Sequence, residues 1–547
     1  MSGEEWLRRG EGPDLGPCAT AFPFGERTML NVLRARAAER PDKTWLVFDG
    51  EHRVTFEEAD RLVNRVGWAL HDSLPAGSNV GLLLRNQPEF VPALYGAFAA
   101  RAIAVPFNAE ARGGLLHRAI VDSEVGLLIV RADLLPALAD LPDLGAVETL
   151  VVCGEVDREA GGPLASIPRV AWDEWIDGRA EEPPGPAPMA WDTATIQFTS
   201  GTTGRAKGAV YPHFFFFLYS ATQADSQGRL AEDVLTTPLP LYHAAALHHV
   251  VGAAAHVGAT GHLKSKFSAS RFWPQVTEDG ATFAIILGTM AMIMDKTVGE
   301  VAEHRLRQIF CVPPPDLESF ERHFRVPVLW QGYGMTEISP LPMPARMEPD
   351  VELDTIGRPP SWIEYGVLDD DDMPLPAGEV GNLVFRPRLP FAMAAGYFGR
   401  PEATVAAFRN GVFHTGDLAS IDEEGRLHFK GRGSDRIRVR GENVSPTDLE
   451  EAACELDGVL EAVAFAVPGE FGEDEIKLDL RGSGTLDLAD LHAALSRRLP
   501  AFMLPRYLEQ REDFPRTPTA KVERFKLAAE KVDRPGVVEF DRRRTSA

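Results

Sequence analysis

The chain has 547 residues, 44% hydrophobic and 25% charged, which is the profile of a soluble globular protein too long for one compact domain. Acidic residues number 80 against 56 basic ones, a net charge of -24. That excess argues against generic binding to nucleic acid or to an anionic membrane surface, so neither is expected as a partner.

The first residues, Met1 to Arg9, carry no apolar segment, so no secretory signal is expected. The most apolar run, Ala244 to Gly261, is interrupted by His248, His249 and His256, which argues against a membrane span. Cys18, Cys153, Cys311 and Cys454 lie far apart, form no CxxC pair, and fit a reducing cytoplasm.

Thr55-Phe56-Glu57-Glu58 predicts a capping box at a helix start, with Leu62, Val66 and Leu70 recurring at helical spacing behind it. Asn79 to Leu84 predicts a buried strand, Glu89 to Ala100 a helix and Ala102 to Pro106 the next strand. Gly126 to Val130 and Glu148 to Val152 continue the alternation, which implies parallel sheets covered on both faces. The Pro-rich stretch Glu181 to Pro188 is expected to be a surface loop rather than a domain boundary. A compositional break near Gly431 to Asp435 is followed by a basic segment, a helical stretch from Pro446 and a short α/β pattern.

Thr199 to Gly208 reads TSGTTGRAKG. Its small residues and glycines let backbone amides approach an anion, its hydroxyls add donors, and Lys207 adds a positive charge. No Ser or Thr follows the lysine, so this is not a Walker loop. On composition alone a Gly/Thr-rich turn serves equally well.

This segment resembles the phosphate loop of the adenylate-forming superfamily: acyl-CoA synthetases, aryl-CoA ligases, luciferases and the adenylation domains of peptide synthetases. Four further signatures follow in that family's order: QGYGMTE at 331–337, FHTGDL at 413–418, GRGSDRIRVRGENVSP from Gly431, and PRTPTAK at 515–521. The resemblance implies an α/β fold. A large N-terminal adenylation domain (1–432), with parallel-rich sheets flanked by helices, would precede a small mobile α+β lid (433–547). It also implies that Thr199, Ser200, Gly201, Thr202, Thr203, Gly204 and Lys207 hold the phosphates of ATP. Tyr333 and Gly334 would face adenine, Thr336 the α-phosphate, and Glu337 a Mg²⁺ ion, for which a carboxylate oxygen is a suitable hard ligand. Asp417, an acceptor-only carboxylate, would take both ribose hydroxyls, and Arg432 would reach the same ribose.

Lys521 would stabilise the charge that grows when a carboxylate attacks the α-phosphate. Arg438, Arg440 and Gly441 resemble the lid segment that swings in for a second step, with coenzyme A as acceptor. Tyr242-His243 resembles an aromatic gate motif, so His243 is a catalytic and pocket candidate. His248, Gly288, Thr289, Gln331, Gly332 and Met335 are the other expected pocket residues.

Three positions depart from the family pattern. Ala520 stands where a glycine is usual, Cys311 to Pro315 replaces a Gly/Ala-rich stretch, and Ser434 occupies the hinge. The expected function is two-step activation of a small aromatic or short polar acid. It proceeds through an acyl-adenylate and then transfer to coenzyme A. One rival within the superfamily is adenylation of an inorganic oxyanion such as nitrite, passed to an arylamine. A rival of another class is a non-catalytic nucleotide sensor, against which Lys207, Glu337, Asp417 and Lys521 stand. The sequence leaves the oligomeric state open, a homodimer included.

Overall fold

A computed structural model describes residues 7–9, 15–156, 161–199, 206–312, 316–330, 332–338, 341–342, 355–432, 437–439, 442–444, 446–469, 474–515, 522 and 524–540. The capping box forms as expected. The Glu58 amide donates to Thr55 Oγ1 at 3.2 Å and the Thr55 amide to Glu58 Oε2 at 2.9 Å, opening the helix Phe56–Ser73. The loop that begins at Glu181 is docked on this helix. Asn64 and Trp68 donate to the carbonyls of Glu181 and Glu182 at 2.8 and 2.9 Å.

Among the described residues two seven-stranded sheets form the bulk of the molecule. The first runs Lys207–Pro212, Thr193–Thr199, Ile103–Pro106, Asn79–Leu83, Leu127–Arg131, Thr149–Cys153, Arg169–Ala171. It is parallel except where Lys207–Pro212 turns back on Thr193–Thr199. Every residue of Asn79–Leu83 is buried, which is why that strand reads as an unbroken apolar run. The second sheet centres on Phe283–Leu287 and Val234–Thr237, with Gln308–Val312 beside the former. A five-stranded antiparallel sheet carries Phe413–Ile421 and Leu427–Arg432.

Beyond residue 436 the chain forms a four-stranded sheet from Val459–Pro468, Asp474–Gly482, Tyr507–Gln510 and Val537–Glu539. A hairpin of Ile437–Val439 and Glu442–Val444 and the helix Pro446–Cys454 accompany it. This part has its own apolar core and meets the rest at the helix Gly113–Asp122, where Leu115 packs against it. Among the described residues no helix is long and apolar enough to cross a membrane.

Candidate active site

The strand ends of the two large sheets and the C-terminal part enclose a cavity of about 400 Å³. One end is polar. Thr199 closes its strand on the cavity wall, and Lys207 opens the antiparallel neighbour directly opposite it. Ser200, Gly201, Thr202, Thr203 and Gly204 lie outside the described residues. The Lys207 ammonium sits 4.9 Å from the centroid of the Tyr397 ring, a cation–π distance. The Tyr397 hydroxyl in turn donates to Glu337 Oε1 at 2.6 Å.

Glu337 is buried at 4% exposure and lines the cavity with Gly332, Tyr333, Gly334, Met335 and Thr336. Gln331 lies outside the described residues. The segment is clamped from two sides. The Tyr211 hydroxyl donates to the Thr336 carbonyl, and the Ala394 amide donates to the Glu337 carbonyl at 3.0 Å. Burial, with Glu337 adding to it, pushes the Tyr211 phenol well above its ordinary range, so it stays a donor.

Tyr333 is 7% exposed, with its ring 5.3 Å from that of Phe385. Its hydroxyl donates to Asp417 Oδ2 at 2.7 Å. Asp417 sits behind it in Phe413–Ile421, facing Arg432 in register. Gly416 just before it has φ 76° with open space around it, so glycine serves the backbone angle there rather than the packing.

The other end of the cavity is apolar. Ile285, Leu287, Phe310 and Val312 line it together with Tyr242, His243 and His249. Two expectations are corrected here. His248 does not face the cavity: its Nδ1 lies 3.0 Å from Ser220 Oγ and its ring packs on Phe216 at 4.6 Å. The segment is a wide π-helical turn, Leu247–Gly252, between the short helices Ala244–Ala246 and Ala253–Val257, and within it the two adjacent imidazoles go to different sides. Gly288 and Thr289 are buried in the first turn of the helix Gly288–Thr297, and only Leu287 before them reaches the cavity. The remaining histidines of this region are packed or paired. His256 lies against Phe217, and His262 with Lys264 pairs with Asp279. Among the described residues no three His, Cys, Asp or Glu side chains are grouped to hold a metal.

From the C-terminal part Arg438, Asp448 and Phe502 line the cavity. Asp448 accepts from Arg118 across the junction at 3.1 Å, and Glu451 lies 3.7 Å from the same guanidinium. The Arg438 amide is fixed by Asp474 at 3.1 Å. Gly441 and Lys521 lie outside the described residues, as do Arg440, Gly433, Ser434 and Pro313 to Pro315.

The AMP-binding enzyme family model matches residues 33–398. The chain belongs to that family. It is an AMP-forming ligase of the acid–CoA ligase type. It is similar to a crotonobetaine/carnitine–CoA ligase of Salmonella arizonae, 30% identical over 88% of this chain and 95% of that protein. The fold is shared with a double mutant of Bacillus subtilis o-succinylbenzoate–CoA synthetase bound to a product analogue. The TM-score is 0.79 at 24% identity, covering 91% of this chain and 98% of that one. The same synthetase in complex with AMP gives a TM-score of 0.63 at 23% identity, with coverage of 91% and 98%.

Four residues that build the site of this family member escape the motif reading: Tyr211, Tyr397, Arg118 and Asp448. Tyr211 carries a readable signal, because positions 207, 209 and 211 share one strand face with the phosphate-loop lysine. The Arg118–Asp448 pair joins residues 330 apart and has no local signature.

Proposed function

We propose that the protein adenylates a small carboxylic acid with ATP and transfers the acyl group to coenzyme A. The observation that carries this reading is the cavity itself. One continuous space runs from Thr199 and Glu337, with Lys207 paired to Thr199 in the neighbouring strand, past Tyr333 to an apolar end that fits a compact acid. The acid's carboxylate would meet the α-phosphate near Thr336, and pyrophosphate would leave toward Lys207. A buried carboxylate with one oxygen already oriented by Tyr397 suits a hard cation. Glu337 would therefore hold Mg²⁺, which would draw charge from the phosphate oxygens. Tyr333 would form the adenine wall, with Gly334 at its edge, and Asp417 behind it would accept from the ribose, with Arg432 as its neighbour. Lys521 would supply the cation at the transition state.

The C-terminal part from residue 433 serves as the lid, and its placement fits the second half-reaction. Arg438 lines the cavity, and the overlay is closer to the product-analogue complex of the Bacillus synthetase than to its AMP complex. A small aromatic or short polar acid suits the cavity better than a long acyl chain. The apolar end is walled by Phe310, Ile285 and Tyr242 and holds a buried imidazole where a fatty tunnel needs continuous apolar wall.

The test is ATP–pyrophosphate exchange with benzoate-type, short aliphatic and fatty acids and with nitrite plus an arylamine, each with and without coenzyme A. Acid-dependent exchange and coenzyme A-dependent AMP release are expected. AMP release that requires nitrite and amine and ignores coenzyme A would replace this reading with the oxyanion one.

A further inference from the structure

Asn86 joins the two large sheets beside the cavity. It lies just beyond the strand Asn79–Leu83 of the first sheet and is 6% exposed. Its Nδ2 donates to the Leu239 and Lys264 carbonyls, each at 2.8 Å, and its Oδ1 accepts from the Leu241 amide at 2.8 Å. Two carbonyls on one side and one amide on the other admit a single orientation of the side-chain amide. Leu239 and Lys264 follow the strands Val234–Thr237 and Thr260–Leu263, which are parallel neighbours in the second sheet. One neutral side chain from the first sheet therefore ties down the ends of two strands of the second.

The loop it holds shapes the acid end. Leu239, Pro240, Tyr242 and His243 all line the cavity, and Asn86 binds the backbone of this stretch at two points. A second buried side chain secures the same loop. Thr237 Oγ1 accepts from the Leu239 amide and donates to the Ile285 carbonyl, both at 3.0 Å, and Ile285 is itself in the cavity wall. The His243 amide then closes a turn on the Pro240 carbonyl at 3.2 Å. The phosphate end, by contrast, is built on the first sheet, where Thr199 and Lys207 stand opposite each other. A carboxylate bound against the Tyr242–His243 wall and phosphates held at Thr199 and Lys207 are thus placed relative to one another through this joint. Reacting atoms must come within about 3–3.5 Å, and a misplacement of about 1 Å can cost on the order of 10²-fold.

We propose that Asn86 is a positioning residue for adenylation, setting the acid-binding wall against the phosphate end by fixing the loop 238–243 to the first sheet. This rests on the acid-activating reading above. Asn86 is not itself in the cavity wall, so it acts through Tyr242 and His243. Its amide carries no charge, and all three of its hydrogen bonds are to backbone groups, so the joint depends on geometry rather than on protonation.

The test compares three variants. Asn86→Ala leaves two carbonyls and one amide unmatched in the joint. Thr237→Val removes only a hydroxyl from the same loop and keeps the branched shape, so it serves as the gentler variant if Asn86→Ala does not fold. Asn64→Ala is the control, because Asn64 is fully buried and donates to the Glu181 carbonyl at 2.8 Å but does not line the cavity. KM values for acid and for ATP are measured by ATP–pyrophosphate exchange with a benzoate-type and a short aliphatic acid, and thermal melting is recorded for each protein. Asn86→Ala is expected to raise the acid KM by about 10- to 100-fold and Thr237→Val by about 3- to 10-fold, with the ATP KM within about twofold of wild type. The preference between the two acids should shift in the same variants. Asn64→Ala should melt earlier and keep both KM values. A wild-type acid KM in Asn86→Ala or, where that variant does not fold, in Thr237→Val overturns the assignment. An equal rise in the acid and ATP KM, or the same acid KM rise in Asn64→Ala, overturns it too, and each of these results leaves the ligase reading standing. Wild-type enzyme that exchanges with no acid, but releases AMP with nitrite and an arylamine, overturns both.

Discussion

The Tyr333 hydroxyl donates to Asp417 Oδ2 at 2.7 Å, linking the QGYGMTE and FHTGDL motifs across 84 residues. One contact thus ties the expected adenine wall to the expected ribose acceptor, and Gly416 supplies the backbone angle that presents Asp417 to it. Asp417→Ala is expected to raise the KM for ATP by about 10- to 100-fold, the loss of hydrogen bonds to a charged acceptor. Tyr333→Phe removes only the orienting donor and should cost several-fold less. Kinetics with ATP and 2'-deoxyATP decide the point. If both nucleotides suffer equally little in Asp417→Ala, the ribose role is wrong.

Arg118 and Asp448 hold the C-terminal part against the helix Gly113–Asp122. Asp448 is 4% exposed, so this pair is shielded better than a surface ion pair. Arg118→Ala is expected to slow acyl transfer to coenzyme A several-fold and to leave ATP–pyrophosphate exchange near the wild-type rate. Single-turnover measurements of each half-reaction separate the two. Equal slowing of both steps would mean that the pair serves general stability.

Lys521 sits in PRTPTAK, where the family resemblance puts the cation that meets the attacking carboxylate. Lys521→Ala is expected to lower exchange by on the order of 10²-fold while ATP binding, measured by calorimetry, stays near wild type. Near-normal exchange in this variant would strike Lys521 from the mechanism.

Gly252 has no room for a side chain, because an added Cβ would lie 2.2 Å from Ser220 Oγ. The hydroxyl it would displace is the one His248 contacts at 3.0 Å. Gly252→Ala should therefore destabilise the fold by about 1–3 kcal/mol, the usual range for overpacking. Denaturant melts of Gly252→Ala and of Gly252→Ala/Ser220→Gly check it, and the second substitution should recover part of the loss.

Much of this architecture is legible in the order of the amino acids. The capping box at Thr55 and the buried strand at Asn79 follow from local chemistry and apolar runs, and the described elements fall within a residue or two of those expectations. The segment 332–337 lines one cavity. The histidine pair is not legible in the same way. Helical periodicity assigns neighbouring residues to faces only if the turn is regular, and the π-helical turn Leu247–Gly252 is not. The apolar residues around His248 and His249 give no sign of which ring finds Ser220. Contacts such as Tyr397 to Glu337 and Arg118 to Asp448 depend on tertiary packing over long separations, where no spacing rule applies.

Buried histidines are expected to lower the stability of the fold in acid. His213, His248 and His256 are each at most 3% exposed, and burial lowers all three pKa values to about 3. Near His213, desolvation dominates, while Asp192 raises and Arg101 lowers the value. In the unfolded chain these groups titrate near about 6.5. Below that pH the unfolded state binds protons that the folded state refuses. The stabilisation present above about pH 6.5 is therefore lost as pH falls toward the folded values, by roughly 1 kcal/mol per histidine per pH unit. The ordinary carboxylates titrate near about pH 4, so the window between about pH 6.5 and 4.5 belongs chiefly to these imidazoles. Denaturant midpoints taken every half unit from about pH 7.5 to 4.5 should fall steadily below about pH 6.5. His213→Phe keeps an aromatic ring beside Phe98, which His213 meets edge-on at 4.8 Å, and removes one titrating group. Its midpoint should fall less steeply than that of the wild type over the same range. Parallel slopes for the two proteins would show that His213 is not held neutral by burial.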